Sequence, residues 1–230
     1  MAKRPIFIPQ SSGNHFVIEK EIEFTWNPGF APVQKKKNIV ALHAAAEEKK
    51  ISPLLEVSTK SDQILGIKLS AFNLHIALEN GKEIPIECAF QGSKVFEDGG
   101  PYKDIFGKST REAKRDERLK NSGSIIGFSF DGIDFPSEPK TAFYDWIYSR
   151  ALFKNLEEKS DLDEFAGFTD IEFNPEKSIN CQARSCALFV ALRQRDKLVK
   201  AIASPKAFIK VLSTETPEPF SDNPVQGHLL

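Results

Sequence analysis

Glu87, Gln91 and Lys94 follow one another at intervals of four and three residues. On a helix that spacing puts a carboxylate, an amide and an amine on a single stripe. Their neighbours Ile84, Ile86, Cys88, Ala89, Phe90, Val95 and Phe96 are apolar. An unpaired charge inside such a segment is costly, so the stripe fits one wall of a polar pocket. Desolvation lowers the pKa of a lysine and frees its amine as a nucleophile, and a neighbouring carboxylate then holds it or moves its proton. The same residues also fit a buried Glu–Lys pair that only sets packing, since structural pairs perturb pKa values too. Spacing does not choose between the two readings.

The elements around this stripe are read from periodicity and turn chemistry. A helix is expected over 87–97, broken by Gly99-Gly100-Pro101. Upstream, 1–20 reads as an extended arm that includes Ile6–Pro9, 17–26 as a strand and 33–49 as a helix. Short strands are expected over 54–57 and 64–69. Downstream, Ser109 and Glu112 form a capping box that opens a helix ending at Gly123. A strand over 125–130 leads into an Asp131-Gly132 turn. Residues 141–156 form an amphipathic helix with Phe143, Trp146, Ile147, Leu152 and Phe153 inward, and 180–195 form another with Asn180 as N-cap. The fold class is α+β, predominantly helical, with short strand pairs.

Composition bounds the function classes. The 230 residues are 40% hydrophobic and 27% charged, enough apolar content to bury a full core. No apolar run approaches the ~20 residues that cross a bilayer, and Met1-Ala2-Lys3-Arg4-Pro5 leads into no long apolar region, so a cytoplasmic protein without membrane contact is expected. Cys88, Cys181 and Cys186 read as buried free thiols. His15, His43, His75 and His228 lack metal-ligand spacing, so neither metal nor cofactor is expected. Net charge is −1, but basic residues cluster at Lys35–Lys37 and over 108–120. Arg111, Lys114, Arg115 and Arg118 make a candidate DNA-phosphate stripe, or else a salt-bridged solvent face.

The run Glu87…Phe90-Gln91…Lys94 resembles the signature of the NADAR family, whose name denotes association with NAD and ADP-ribose. Leu69-Ser70-Ala71-Phe72-Asn73-Leu74 resembles the family's Phe-Ser-Asn-Phe segment, and Leu78–Lys82 resembles the hairpin between the two. The Trp-Gly that family members carry after the acidic turn is replaced here by Ile171-Glu172. The layout is most similar to the subgroup paired with DNA-modifying toxins of the DarT class. That similarity is carried by Trp26–Lys37, Phe90–Phe96, Gly99–Tyr102, Arg111–Asp116 and Pro139–Trp146.

The resemblance implies a single catalytic domain over 69–215, with an extension over 1–68 packed on it; the Pro-rich end, 216–230, reads as a flexible tail. It implies removal of ADP-ribose from guanine in ADP-ribosylated DNA, with free ADP-ribose as product, by an antitoxin that works by catalysis. In that scheme Lys94 attacks the anomeric carbon and forms a Schiff base, and Glu87 moves its proton. Asp170, or Glu172, orients water or ribose hydroxyls. Asn73 and Gln91 serve the ribose; Lys140, Asn180 and Arg184 serve the diphosphate; Phe90 and Tyr102 offer rings for a base. Lys37 is a rival lysine, although it lies within a solvated charge run. Two other classes stay open: a module that binds ADP-ribose without turnover, and an antitoxin that only binds its toxin.

Overall fold

The computed structural model describes residues 1–156, 161–176 and 178–214. The expectation for 216–230 lies outside them. Among the described residues helix accounts for 41% and strand for 20%, so the fold is mixed α+β and the expected predominance of helix is not confirmed. Strands β1 (Ala2–Pro9) and β2 (Val17–Phe24) form an antiparallel hairpin, followed by α1 (Pro32–Glu47) and β3 (Leu54–Glu56). Then come α2 (Ile64–Lys68), the small hairpin β4 (His75–Ala77) and β5 (Glu83–Pro85), and α3 (Ile86–Gly92). Strand β6 (Lys94–Phe96) starts two residues later. After α4 (Thr110–Lys114) and α5 (Arg118–Asn121), β7 (Ile125–Phe130) and β8 (Ile133–Pro136) complete a three-stranded sheet with β6. Helix α6 (Ala142–Asn155), β9 (Gly167–Thr169), α7 (Gln182–Gln194), α8 (Leu198–Ile202) and α9 (Pro205–Leu212) follow.

Strand β9 joins distant parts of the chain. It lies between β1 and β3, antiparallel to the first and parallel to the second, in the order β2-β1-β9-β3. The first 68 residues therefore share a sheet with the second half. They also share its core, because Phe7, Phe16, Leu55 and Val57 pack with Phe168 and the apolar faces of α6 and α7. Cys88, Cys181 and Cys186 are buried free thiols. Among the described residues no helix is long and apolar enough to cross a membrane.

Two expected elements change type. The signature helix stops at Gly92, where Ser93 returns its hydroxyl to the Ala89 carbonyl at 2.6 Å, and the chain leaves as β6 to pair with β7. Residues 64–69 are helical rather than extended, closed by Ile67 N–H to Gln63 O and Leu69 N–H to Leu65 O. Gly66 makes that helix possible: a Cβ there would lie 2.0 Å from the Glu56 carbonyl oxygen. The capping box at Ser109 and Glu112 is present, but the helix it opens ends at Lys114. Asp131 and Gly132, both at positive φ, make the turn between β7 and β8.

Aromatic packing fixes α3 against α6. The Phe143 ring stacks on Phe128 at 4.3 Å between centroids and also meets Phe90, Phe135 and Trp146. Phe153 points outward instead, because its position on α6 falls beyond the buried stripe. Phe143→Ala is expected to cost ~3–5 kcal/mol, the usual range for emptying a buried aromatic site. Urea unfolding followed by tryptophan fluorescence measures it.

Candidate functional site

Helix α3 carries Glu87 in its first turn, and all seven of its residues are buried. Glu87 is 7% exposed, and Gln91 Nε2 donates to its Oε1 at 2.9 Å. Four residues apart on one helix, the two meet as their spacing requires. Lys94 reaches the same neighbourhood from β6, opposite Phe128, rather than from the helix. It is 1% exposed, and its Nζ lies 4.8 Å from the Phe90 ring centroid. Burial lowers its pKa to about 8; the Glu87 charge opposes that shift and Lys114 adds to it.

Glu87 opens onto a cavity of about 470 Å³. Ala71, Phe72 and Thr59 line one side, and Lys114 and Tyr144 contribute from α4 and α6. The opposite wall is the segment after β9: Asp170, Glu172, Phe173, Asn174, Ser178, Asn180 and Gln182. Asp170, 9% exposed, accepts from the Glu172 N–H at 3.0 Å and from Gln182 Nε2 at 3.0 Å. Burial first and the Glu56 carboxylate second raise its pKa to about 8, against the two donors, which lower it. The cavity thus holds one carboxyl that keeps its proton near neutral pH. Asn180 Oδ1 is buried without a hydrogen-bond partner on this wall.

Of the residues singled out in the sequence, Glu87, Lys114, Asp170, Glu172 and Asn180 line this cavity. Lys94 lies next to Glu87 but is not part of the lining. Gln91 is spent on Glu87, and its Oε1 is buried without a partner. Asn73 is exposed and closes a turn, donating to the Ile67 carbonyl and to Ser70 Oγ. Phe90 is core, stacked on Phe128 and Phe143. Tyr102 packs beneath the Arg118 guanidinium at 4.3 Å, and its hydroxyl meets Ser122 Oγ at 2.5 Å. Lys140 is exposed on the loop before α6. Arg184 pairs with the buried Asp145 at 2.8 Å and is not part of the lining. Asn180 is not the cap of α7; that position belongs to Cys181.

The basic stripe divides. Arg111 and Arg115 are exposed, and Lys114 turns to the cavity with its Nζ 5.9 Å from the Phe72 ring. Arg118 sits on a separate helix and is bound to Asp104 and Asp116 at 2.7 and 2.8 Å. Its partner Asp104 lies fourteen residues back in the chain, which a charge pattern read along one helix does not reveal. No group of three or more His, Cys, Asp or Glu among the described residues is placed to hold a metal ion.

Sequence reasoning passed over Phe72, Phe173 and Gln182 as lining residues. Phe72 lay within the Leu69–Leu74 segment already singled out. Glu56, a lone carboxylate between Leu55 and Val57, gave the same signal as Glu87: a charge inside an apolar run. No curated protein matches the chain. Comparison with protein families matches residues 2–219 to NADAR-DarT1, described as the DarT1-associated NADAR antitoxin. With nearly its whole length matched, the chain belongs to the family of DarT1-associated NADAR antitoxins.

Proposed function

We propose that this antitoxin is a hydrolase that removes ADP-ribose from ADP-ribosylated guanine in DNA, reversing the product of a DarT-class toxin. One observation supports the reading most directly. Glu87 and Asp170, whose carboxyl pKa burial raises to about 8, line one cavity, with the buried Lys94 amine beside Glu87. Asn180 Oδ1 is suited to accept from a ribose hydroxyl and Lys114 to hold a phosphate. Phe72 and Phe173 offer aromatic surface to a base. Exposed Arg111 and Arg115 lie on and just beyond the helix that brings Lys114 to the cavity, where they suit strand phosphates. Thr59 brings the 1–68 extension to the same cavity as the 69–215 core.

The bond to break joins the ribose anomeric carbon to the exocyclic amine of guanine. Asp170 gives its proton to that departing nitrogen while the neutral Lys94 amine adds to the anomeric carbon. Glu87 takes the proton that Lys94 loses on forming the carbon–nitrogen bond, and passes it to the ribose ring oxygen as the ring carbon–oxygen bond opens and leaves a protonated lysine iminium. Water then adds to the resulting iminium and releases ADP-ribose and the free lysine, and a proton returns to Asp170. Overall one water is consumed and guanine regains its amino group. Lys94 must move to take part, because it is 1% exposed and outside the cavity lining. That position favours a second reading, in which Glu87 activates water directly and Lys94 is only its buried neighbour.

The two readings part in one experiment. The protein is incubated with a guanine-ADP-ribosylated oligonucleotide, with and without sodium borohydride, and both strand and protein are weighed by mass spectrometry. Release of ADP-ribose with a reduced adduct on Lys94 supports the covalent route. Release without an adduct, retained in part by Lys94→Ala, supports direct hydrolysis. An adduct that stays on the DNA in all samples rules out hydrolysis of this substrate and leaves recognition without turnover.

A further inference from the structure

Glu56 is a buried carboxylate that the hydrolytic scheme leaves unused. It ends β3, is 2% exposed, and stands opposite Thr169 in the parallel pairing with β9. Its two oxygens hold the residues on either side of Asp170. Thr169 Oγ1 donates to Oε2 at 2.7 Å, and the Ile171 N–H donates to Oε1 at 2.9 Å. The Ser58 hydroxyl adds a third donor. The chain continues away from the cavity, because His43 Nε2 lies 2.8 Å from Thr169 Oγ1. The Thr169 hydroxyl proton is committed to Glu56, so the histidine must donate here. Burial lowers the His43 pKa to about 4, so the ring is neutral and carries its one proton on Nε2. His43 belongs to α1 and lines a second cavity of about 350 Å³ together with Glu56 and Asp62.

We propose that Glu56 is a positioning residue for Asp170: it grips the backbone on both sides of that residue, and its charge keeps the proton on the Asp170 carboxyl. The inference rests on the acid role given to Asp170 above. Two buried carboxylates this close do not both ionise readily. Burial raises both carboxyls, but Glu56 accepts from three donors and Asp170 from two, so Glu56 is the one of the pair that ionises first. Glu172 raises both carboxyls of the pair. The other ionisable groups facing the Asp170 side are Glu87, Lys114, Tyr144 and Cys181, and burial holds the last two neutral.

Glu56→Gln tests this in the full-length protein. Its amide oxygen must face the Ile171 N–H, so its NH₂ faces Thr169 and the hydroxyl turns to donate to His43. The histidine proton then moves from Nε2 to Nδ1, and without the Glu56 charge Asp170 ionises more readily. Nitrogen-15 spectra of the histidines and carbon-13 titration of the Asp170 carboxyl read both changes without any substrate. The expected result is a tautomer switch and an Asp170 midpoint on the order of one pH unit lower. The high-pH fall in ADP-ribose release should move with it. Thr169→Val is the second variant: it removes a donor from Glu56 and should move the Asp170 midpoint the same way. An Nδ1–H His43 in the wild type, or an Asp170 midpoint unmoved by either variant, overturns the proposal. A wild type that releases no ADP-ribose while the midpoint moves overturns the hydrolase reading and leaves the Glu56 assignment standing.

Discussion

Glu87→Gln is expected to lower the rate of ADP-ribose release by ~10²–10⁴-fold, the range for losing a positioned acid or base, with little change in stability. The substitution preserves shape, and the new amide oxygen still accepts from Gln91 Nε2 where Glu87 Oε1 does now. The charge in the first turn of α3 is lost, which costs a fraction of a kcal/mol to ~1 kcal/mol. The direction of the kinetic effect is informative because Glu87 has two opposed influences. Its charge holds the Lys94 pKa up, so removing it leaves more of the lysine neutral at pH 7. If a neutral amine were all that catalysis needed, Glu87→Gln would be as fast as the wild type or faster. If Glu87 moves a proton, whether from Lys94 or from water, the rate falls. Single-turnover release of ADP-ribose from a modified oligonucleotide, with urea unfolding as control, decides it. An unchanged or raised rate removes Glu87 from the chemistry.

What the sequence conveys about this site depends on how local each feature is. Glu87 and Gln91 meet as their spacing requires because both lie within two turns of one helix. Lys94 reaches the same carboxylate by a different route. Its strand exists only because β7, more than thirty residues later, pairs with it, and helical periodicity carries no trace of that partner. The apolar stretch 64–69 fits strand and helix alike, and the near contact between Gly66 and Glu56 O decides the matter from outside the segment. Arg118 shows the same limit for charge: the stripe was visible in the sequence, but Asp104 and Asp116 were not visible as its clamp. Asp170 stood out as an acidic turn, yet its proton depends on Glu56, more than a hundred residues earlier and adjacent only through the β3–β9 pairing. Residue types were thus legible, and so were pairs within one element. Contacts between elements, which set the charge states, were not.

Lys94→Met is expected to raise stability at neutral pH while abolishing covalent catalysis, and the gain should vanish in alkali. Lys94 is buried among Phe90, Glu87 and the β6–β7 pairing, and burial lowers its pKa from 10.5 to about 8. The fold therefore binds that proton more weakly than the unfolded chain does. Between about pH 8 and 10.5 the unfolded state holds the extra proton, so wild-type stability contributed by this group rises with pH across that window. Below pH 8 the full penalty of burying the ammonium is present. The gap between the two pKa values corresponds to about 3 kcal/mol at about 1.36 kcal/mol per unit. Methionine fills similar volume and carries no charge to desolvate, so the variant escapes that cost, as apolar replacements of buried charges often do. Glu87 loses one cation but still shares the cavity with Lys114. Urea unfolding of both proteins at pH 7, 9 and 10.5 isolates the group, because the titrations of groups that do not face Lys94 are common to the pair. A variant advantage of about 3 kcal/mol at pH 7 that closes by pH 10.5 fits a neutral, nucleophilic lysine bought at the expense of stability. A difference that stays flat with pH means that the amine is not depressed by burial, and the covalent route loses its physical basis.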